Sequence, residues 1–449
     1  MFFEFDSHLM RRASLFSRCL HSPFANDAQI DCTDKAITTG LIETATNRAS
    51  KWLSYQSIDS AQPMIGQVGG ISFNKRRVLA LPPDYVLKPL HTDHRGFREV
   101  GFYEAVKMAS QHGRRGSAAT TAPYSSKKNG DDGNASYAAI EKCDAWAMTL
   151  AMFLHDAIVA ESEHTVVASW KALQKEIDLL KSMAKLTAQY YGVVAQNVSS
   201  SNPNEVPSTP RATSDITTDS YLLLSDLTAN FSKPCAIDIK IGRQSYEPNA
   251  SEEKKQRETA KYPTQYEQGF RIVGVRIFDS DHPESDPEGF RQLDKHFGRS
   301  LGSRELVKDA LRTFFTSHCH ATAYNEMLAS RPRRAISSQS LSSLASMEQP
   351  LPKKTMLRAR ALSNVLQQLR SFQRWFEDNK CLAFYSSSIF IVYEGDPNAS
   401  NKDLCNVKMI DFGHVVRQAG GDPGYLYGVK RLSNMLTEVL EEDNDNKVR

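Results

Sequence analysis

Residues 234–242 read PCAIDIKIG, an apolar run that carries one acidic and one basic residue. Side chains alternate between the two faces of a β-strand, so Asp238 and Lys240 leave the same face of the predicted strand. Gly242 then lets the backbone turn. A carboxylate beside an ammonium group suits a reaction in which a hydroxyl loses its proton while phosphate charge is neutralised. Taken alone, this pattern is more often a surface ion pair, so other segments must decide between the two interpretations.

Other segments supply partners for such a reaction. A short predicted strand ends at Lys88, and a predicted helix opens with Glu99, whereas Glu104 is expected on its exposed face. In protein kinases a strand lysine pairs with a helix glutamate, which directs the lysine towards the nucleotide phosphates. The glycine cluster at 66–70 can lay backbone N–H groups over a triphosphate. Asp411 ends a predicted strand in Asp-Phe-Gly, where kinase-like folds hold Mg²⁺.

A predicted helix with one positively charged stripe follows the opening stretch. Lys254, Arg257 and Lys261 stand at positions i, i+3 and i+7, which places them on one side of a helix. A small ligand with several phosphates needs such a surface, because each phosphate needs its own donors. Most charged helix faces are merely solvated, but the position directly after 234–242 favours ligand binding here.

Composition narrows the class of protein. The 449 residues are enough for a bilobal enzyme with a sizeable core. Its 55 basic and 52 acidic residues give a formal net charge of +3, which disfavours a general nucleic-acid binder. Seven cysteines without a CxxC pair predict reduced thiols and a location in the cytoplasm, the nucleus or both. No apolar run spans a bilayer, and the protein-kinase and P-loop motifs HRD, APE and GxxxxGK[ST] do not occur.

The stretch at 234–242, read as P-x-x-x-D-x-K-x-G, resembles the signature of the inositol polyphosphate kinase family. Its extension at 245–248 resembles the multikinase branch of that family, and so does the Asp-Phe-Gly-His block at 411–414. The resemblance implies an α+β fold that is bilobal and protein-kinase-like or ATP-grasp-like, with helical and disordered insertions. The similarity covers most of 62–109, 186–330 and 359–440.

The resemblance also implies a role for each matched residue. Asp238 is expected to act as general base or to orient the hydroxyl, and Lys240 to neutralise phosphate charge. The residues expected to hold ATP are Lys88, Glu99, Ser225, Asp226, Leu227 and Asp411. Among these, Asp411 is the expected Mg²⁺ ligand. The residues expected to contact the inositol phosphate are Lys254, Arg257, Lys261, Arg276 and His414.

Three regions are predicted. Residues 1–60 are a poorly patterned N-terminal segment. Residues 61–224 form an N-lobe that contains the glycine turn, the Lys88 strand and the Glu99 helix, with a loop at 110–137, added helices at 140–190 and a loop at 196–218. Residues 225–449 form a C-lobe with an inositol phosphate-binding helix at 251–262, a disordered insertion at 331–358 and the Asp411 segment.

By this resemblance we expect an ATP- and Mg²⁺-dependent kinase that phosphorylates hydroxyls of soluble inositol polyphosphates, taking the trisphosphate to tetrakis- and pentakisphosphate. An inositol hexakisphosphate kinase and an inositol trisphosphate 3-kinase are the alternatives within the family. A catalytically inactive, inositol phosphate-binding scaffold is the alternative from another class. We expect a monomer without a transmembrane segment or a nucleic-acid partner. A phosphoinositide lipid stays open as a second acceptor.

Overall fold

A computed structural model describes residues 45–49, 60–68, 77–111, 175–195, 220–279, 284–315, 353–396, 399–401 and 404–448. The strands are β1 (Gln62–Pro63), β2 (Leu79–Leu81), β3 (Tyr85–Pro89), β4 (Tyr190–Ala195), β5 (Ser220–Ser225), β6 (Pro234–Ile241), β7 (Phe270–Phe278), β8 (Phe290–Leu293), β9 (Leu382–Phe384), β10 (Ser388–Glu394), β11 (Cys405–Ile410) and β12 (Val415–Arg417). The helices are α1 (His94–Gln111), α2 (Glu252–Lys261), α3 (Gln265–Gln268), α4 (Lys295–Ser300), α5 (Arg304–Phe315), α6 (Lys353–Asp378) and α7 (Pro423–Val448), and residues 45–49 and 175–183 are also helical. This mixture of helices and antiparallel sheets confirms the predicted α+β class.

The first sheet has the strand order β1-β2-β3-β5-β4, with antiparallel neighbours throughout. Its strand β5 is apolar on both faces, as expected for a strand that is covered on both sides. Leu222 and Leu224 join the main core, whereas Tyr221 and Leu223 join a smaller cluster that includes Ala49. This burial holds β3, the neighbour of β5, in a fixed position.

The second sheet has the order β11-β10-β6-β7-β8, so β6 lies at its centre. Ile237, Ile239 and Ile241 are each 0% exposed on one face of β6. Asp238 and Lys240 therefore occupy the opposite face, as the two-residue period predicts. Burial of the isoleucines fixes the register of the strand, because a slip of one residue would exchange the two faces.

Aromatic side chains join helix α1 to the segment after β11 and to β9, which pairs with β12 in a separate two-stranded sheet. The ring of Phe412, which follows β11, stacks on Phe102 of α1 with 4.3 Å between centroids. Tyr103 of α1 meets Phe412 edge-on at 5.2 Å, and Phe384 of β9 meets Phe102 at 5.7 Å. Each such pair contributes about 0.5–1.5 kcal/mol beyond its area burial. The segment that carries Asp411 is thereby packed against the helix that carries Glu99.

Helix α2 is a surface helix that buries none of its residues. Its start is capped by Ser251, whose Oγ accepts the N–H of Lys254 at 3.3 Å. Glu252 and Glu253 occupy its first turn and Lys261 its last turn, which complements the helix dipole. Local capping and charge, rather than core packing, therefore define this helix.

Part of the N-terminal segment is packed rather than unpatterned. Ala45 and Ala49 of the helical residues 45–49 are almost fully buried. Arg48 Nη2 lies 2.8 Å from Glu104 Oε2, and Glu104 is only 1% exposed. The expectation that Glu104 lies on the exposed face of its helix is therefore wrong, because an arginine from another segment pairs with it.

The predicted insertion at 331–358 is too long at its C-terminal end. Helix α6 begins at Lys353, since no glycine or proline interrupts the chain from there to Asp378. The rest of the insertion lies outside the described residues, as do the loops at 112–137 and 196–218 and the added helices before 175. Among the described residues, no helix combines the length and apolarity needed to cross a membrane.

Replacing Gly298 should strongly destabilise the fold. A Cβ at Gly298 of α4 would lie 1.8 Å from the carbonyl oxygen of Ile272 in β7, so Gly298→Ala must push helix and strand apart. We expect a loss of at least about 1–3 kcal/mol in urea unfolding. Gly302→Ala is the matched control, because a Cβ there meets nothing within 4 Å. Equal stability of the two variants would contradict this packing.

Candidate active site

Lys88 joins the two sheets at the site. It lies near the end of β3, and its Nζ is 2.6 Å from Glu99 Oε1 of α1 and 2.5 Å from Asp411 Oδ1. Burial alone would lower the pKa of Lys88, but the charges of Asp411 and Glu99 raise it well above its ordinary value. The lysine is therefore a fixed cation between two carboxylates.

Asp411 presents an ionised carboxylate at this point. Its backbone is left-handed (φ 67°), which aspartate tolerates better than most residues. The hydroxyl of Ser387 donates to the Asp411 carbonyl at 2.6 Å, and the N–H of Phe412 donates to Glu99 Oε1 at 3.1 Å. Burial would raise the pKa of Asp411, but Lys88 outweighs it and lowers the pKa overall. With 41% of its side chain exposed, Asp411 can accept a hard cation.

Asp238 and Lys240 lie close enough to Asp411 for its charge to shift the pKa of both side chains. Ser388 of β10 is the register partner of Lys240 on one side and of Ile410 on the other. Lys240 is therefore two strand spacings of about 4.8 Å from the residue that precedes Asp411. The structure thus brings Lys88, Asp238, Lys240 and Asp411 into one site.

The carboxyl group of Asp238 is poised for proton transfer near neutral pH. Its residue is 4% exposed, and its Oδ1 makes no hydrogen bond with any described residue. Burial, and then the charge of Asp411, raise the pKa of Asp238 to about 7, although Lys240 and Arg271 act in the opposite direction. Burial and then Arg271 lower the pKa of Lys240, while Asp411 and Asp238 oppose that shift.

The segment after β5 offers backbone groups beside this site. Ser225 is bonded to Gln189 twice: its N–H donates to the Gln189 carbonyl at 2.9 Å, and its Oγ accepts the Gln189 N–H at 3.0 Å. Asp226 Oδ1 accepts the N–H and hydroxyl of Thr228, both at 2.7 Å. The N–H of Leu227 has no partner among the described residues. That N–H, rather than the Ser225 side chain, is the group left without a bond in this described segment.

One face of α2 is turned towards β6 and β7. The side chains on this face, Lys254, Glu258 and Lys261, are partly covered. Burial would raise the pKa of Glu258, but the positive charges of Lys261, Arg271 and Lys240 lower it. Arg257 lies outside this face, because its side chain is 64% exposed and its described charge partner is Glu258 at 3.9 Å. The stripe that meets the site is therefore spaced i, i+4, i+7 and includes a carboxylate.

Arg271, rather than Arg276, lies beside Lys240. Arg271 is the register partner of Lys240 and is 8% exposed, with its Nη1 unpaired among the described residues. Arg276 points to the other end of β7, where its guanidinium lies 3.4 Å from the ring centroid of Phe290 and pairs with Glu288 at 3.7 Å. It also lies against Gly66. The structure therefore does not place Arg276 in the acceptor part of the site.

His414 is held by a buried carboxylate. Its Nδ1 lies 2.9 Å from Glu247 Oε1, which also accepts from Arg98 Nη1 at 2.7 Å. Burial would raise the pKa of Glu247, but His414 and Arg98 lower it to about 2. Glu247 therefore keeps one ring nitrogen of His414 occupied and directs the other away.

Sequence reasoning assigned no role to Glu247 or Arg271, and it did not count Glu258 among the binding residues. The spacing of Glu258, four residues after Lys254 and three before Lys261, indicates that it shares their face of the helix. Arg271 also gave a signal, as a charged residue in a buried strand. Glu247 stands in the family-like extension at 245–248, but nothing in the sequence indicated its contacts, because its partners Arg98 and His414 are far from it in the chain.

A profile described as inositol polyphosphate kinase matches residues 221–359 and 345–437. Residues 221–437 are therefore similar to the inositol polyphosphate kinase family. This segment includes Asp238, Lys240 and Asp411, whereas Lys88 and Glu99 lie outside the match and are brought to it by the fold.

Individual relatives agree with this assignment. The chain is 31% identical to human inositol polyphosphate multikinase over 227 residues, which is 50% of this chain and 40% of that protein. It is 27% identical to mouse inositol hexakisphosphate kinase 3 over 244 residues, 49% of this chain and 51% of that protein. The chain thus spans about half the length of these relatives or less.

A solved structure with similarity is the inositol phosphate multikinase Ipk2 of S. cerevisiae, in complex with ADP and Mn²⁺. It is 22% identical, with a TM-score of 0.39, and the match covers 57% of this chain and 90% of that one. A second solved structure, from structural studies and protein engineering of an inositol phosphate multikinase, is 26% identical with a TM-score of 0.34. That match covers 49% of this chain and 85% of that one.

Removing the Asp238 charge should stabilise the ligand-free protein. Between its ordinary value of 3.8 and about 7, Asp238 is ionised in the unfolded chain but protonated in the fold. Rising pH therefore weakens the fold, by up to roughly 4 kcal/mol across this interval. Asp238→Asn has no carboxyl group to ionise, so at pH 8 it should unfold at a higher temperature than the unsubstituted protein. The difference between the two unfolding temperatures should shrink as pH falls from 7 towards 4.

Thermal unfolding over that pH range checks this expectation, with the exposed Asp84→Asn as the control for loss of one negative charge. The raised pKa of Asp238 would be contradicted if the difference in unfolding temperature stayed constant from pH 4 to pH 8. It would also be contradicted if Asp238→Asn were less stable than the unsubstituted protein at pH 8.

Proposed function

We propose that this protein transfers the terminal phosphate of ATP to a hydroxyl of a soluble inositol polyphosphate. The observation that carries the proposal is the contact of Lys88 with Asp411, which brings a cation of the first sheet to the end of the second. Asp238 and Lys240 share that electrostatic environment. The similarity of residues 221–437 to the inositol polyphosphate kinase family supports the same activity.

The nucleotide side uses residues from both sheets. Lys88 binds ATP phosphates while Glu99 holds its orientation, and the backbone N–H of Leu227 meets the base. Asp226 keeps one carboxylate oxygen for the ribose, because the other already accepts from Thr228. Asp411 holds Mg²⁺, which when bound offsets the negative charge of the phosphates. An exposed, ionised carboxylate beside a phosphate site fits that cation, because Mg²⁺ takes few protein ligands there.

The acceptor side supplies the proton acceptor and the positive charge. Asp238 orients the reacting hydroxyl and takes its proton, a task suited to a pKa near the working pH. Lys240 stabilises charge on the transferred phosphate. Transfer of this kind depends mainly on positioning and charge stabilisation, because little covalent chemistry is left to the protein.

Several donors are placed to bind the phosphates of the acceptor. Lys254 and Lys261 come from α2, Arg271 from β7, and His414 from the segment after β11. Arg271 contributes an unpaired buried Nη1, which favours a role in binding an anion. This number of separate donors suits an acceptor with several phosphates better than a monophosphate.

A multikinase type of activity is the form of this proposal that the relatives favour. Human and mouse inositol polyphosphate multikinases are 31% and 32% identical to the chain, against 25–27% for the hexakisphosphate kinases. Chromatography of the products from several inositol phosphates, and from phosphoinositide vesicles, separates multikinase, hexakisphosphate kinase, trisphosphate 3-kinase and lipid kinase activity.

The central experiment is phosphate transfer by the purified chain. With radiolabelled ATP, Mg²⁺ and inositol trisphosphate, we expect a more highly phosphorylated product. Asp238→Asn and Lys240→Met should each lower kcat at least about 100-fold while the proteins stay folded, because these residues act on the reacting groups. Arg374→Met, a basic residue on the outer surface of α6, is the control. No transfer by the unsubstituted chain, or normal turnover in Asp238→Asn, would overturn the proposal.

We also propose that the protein works in the cytoplasm, the nucleus or both, as a monomer. Cys405 is a free thiol among the described residues, which supports a reducing compartment. Imaging of a fluorescent fusion tests the location, and a secreted or luminal protein would contradict it. Light scattering tests the oligomeric state.

A further inference from the structure

The face of α2 that meets the site carries a negative charge among its positive ones. Glu258 stands between Lys254 and Lys261 on the covered side of the helix, with only 15% of its side chain exposed. Arg271 and Lys240 act on it from the neighbouring strands. A site built only to attract phosphates would place a neutral or basic residue at this position.

Glu258 already occupies one of the donors meant for phosphate. Its Oε1 lies 2.5 Å from Lys261 Nζ. A phosphate that approaches Lys261 must therefore displace the carboxylate or bind beside it. At pH 7 a phosphate monoester carries a charge of about −1.5 to −2, so it is repelled by Glu258 at close range.

A hydroxyl group at the same place is attracted by Glu258 rather than repelled. It is neutral, it can donate a hydrogen bond, and an ionised carboxylate is a strong acceptor with room for more than one donor. The local charge therefore favours an acceptor ring that presents a hydroxyl, and disfavours one that presents a phosphate, to this part of α2.

We propose that Glu258 is a specificity-determining residue, which selects inositol polyphosphates with a free hydroxyl facing α2 and limits the use of more highly phosphorylated acceptors. The inference rests on the proposed function. The property of the acceptor that Glu258 recognises is a free hydroxyl at a position where another acceptor carries a phosphate.

A purely structural role is the competing explanation. The contact of Glu258 with Lys261 is also an i, i+3 ion pair within a helix, worth about 0.2–0.5 kcal/mol. That role predicts equal effects on all acceptors when Glu258 is neutralised, because it acts only through the position of Lys261. The proposal predicts effects that increase with the number of phosphates.

Glu258→Gln tests the proposal, since it removes the charge and keeps the size. The values of kcat/KM are measured for inositol tris-, tetrakis- and pentakisphosphates with ATP at fixed ionic strength. We expect the ratio of pentakis- to trisphosphate to rise at least about fivefold, because like charges in a binding site repel strongly. The KM for ATP should stay unchanged. Glu253→Gln, on the exposed side of the same helix, is the matched control and should leave the ratio as it is.

Binding provides a second readout that does not need turnover. Isothermal titration calorimetry with inositol hexakisphosphate, in which every hydroxyl carries a phosphate, should give a lower Kd for Glu258→Gln than for the unsubstituted chain. An unchanged ratio and Kd, a uniform loss for all acceptors, or the same shift in Glu253→Gln would overturn the inference. Failure of the unsubstituted chain to phosphorylate any acceptor would instead overturn the proposed function.

Discussion

The ion pair between Lys88 and Asp411 is the constraint on which the site depends. It connects β3 of the first sheet to the residue that follows β11 of the second, and Glu99 fixes the lysine from α1. The stacking of Phe412 on Phe102 holds α1 against the segment after β11 from the apolar side. One electrostatic contact and one aromatic contact therefore hold together the parts of the proposed nucleotide and acceptor sites.

Charge balance explains the rest of the site. Asp411 and Asp238 repel each other, so one is kept ionised by Lys88 while the other, almost fully buried, holds its proton up to about pH 7. Two carboxylates with different surroundings can take two roles, one for a cation and one for a proton. On the acceptor side Glu258 divides a positive surface, so attraction for phosphate is combined with selection among phosphates.

Sequence reasoning succeeded where a local rule decides the geometry. The shared face of Asp238 and Lys240 follows from the period of a strand. The isoleucines that alternate with them indicated that the strand is buried on its other side. The contacts of Lys88 depend on residues 11 and 323 positions away, so resemblance to a family, rather than local pattern, led to them. Arg257 and Arg276 show where prediction from the sequence ends, because the structure places neither of them beside Lys240. The spacing of a helical stripe does not indicate which edge of the stripe packs against the protein. A shift of register after Asp238 places Arg271, rather than Ile272, opposite Lys240.

The most direct measurement is a crystal structure of the complex with a non-hydrolysable ATP analogue, Mg²⁺ and inositol trisphosphate. The account predicts Mg²⁺ on Asp411, the terminal phosphate within reach of both Lys88 and Lys240, and an acceptor hydroxyl within hydrogen-bonding distance of Asp238. An inositol phosphate bound away from β6, or an Asp238 carboxyl group that contacts neither the acceptor nor the terminal phosphate, would contradict it.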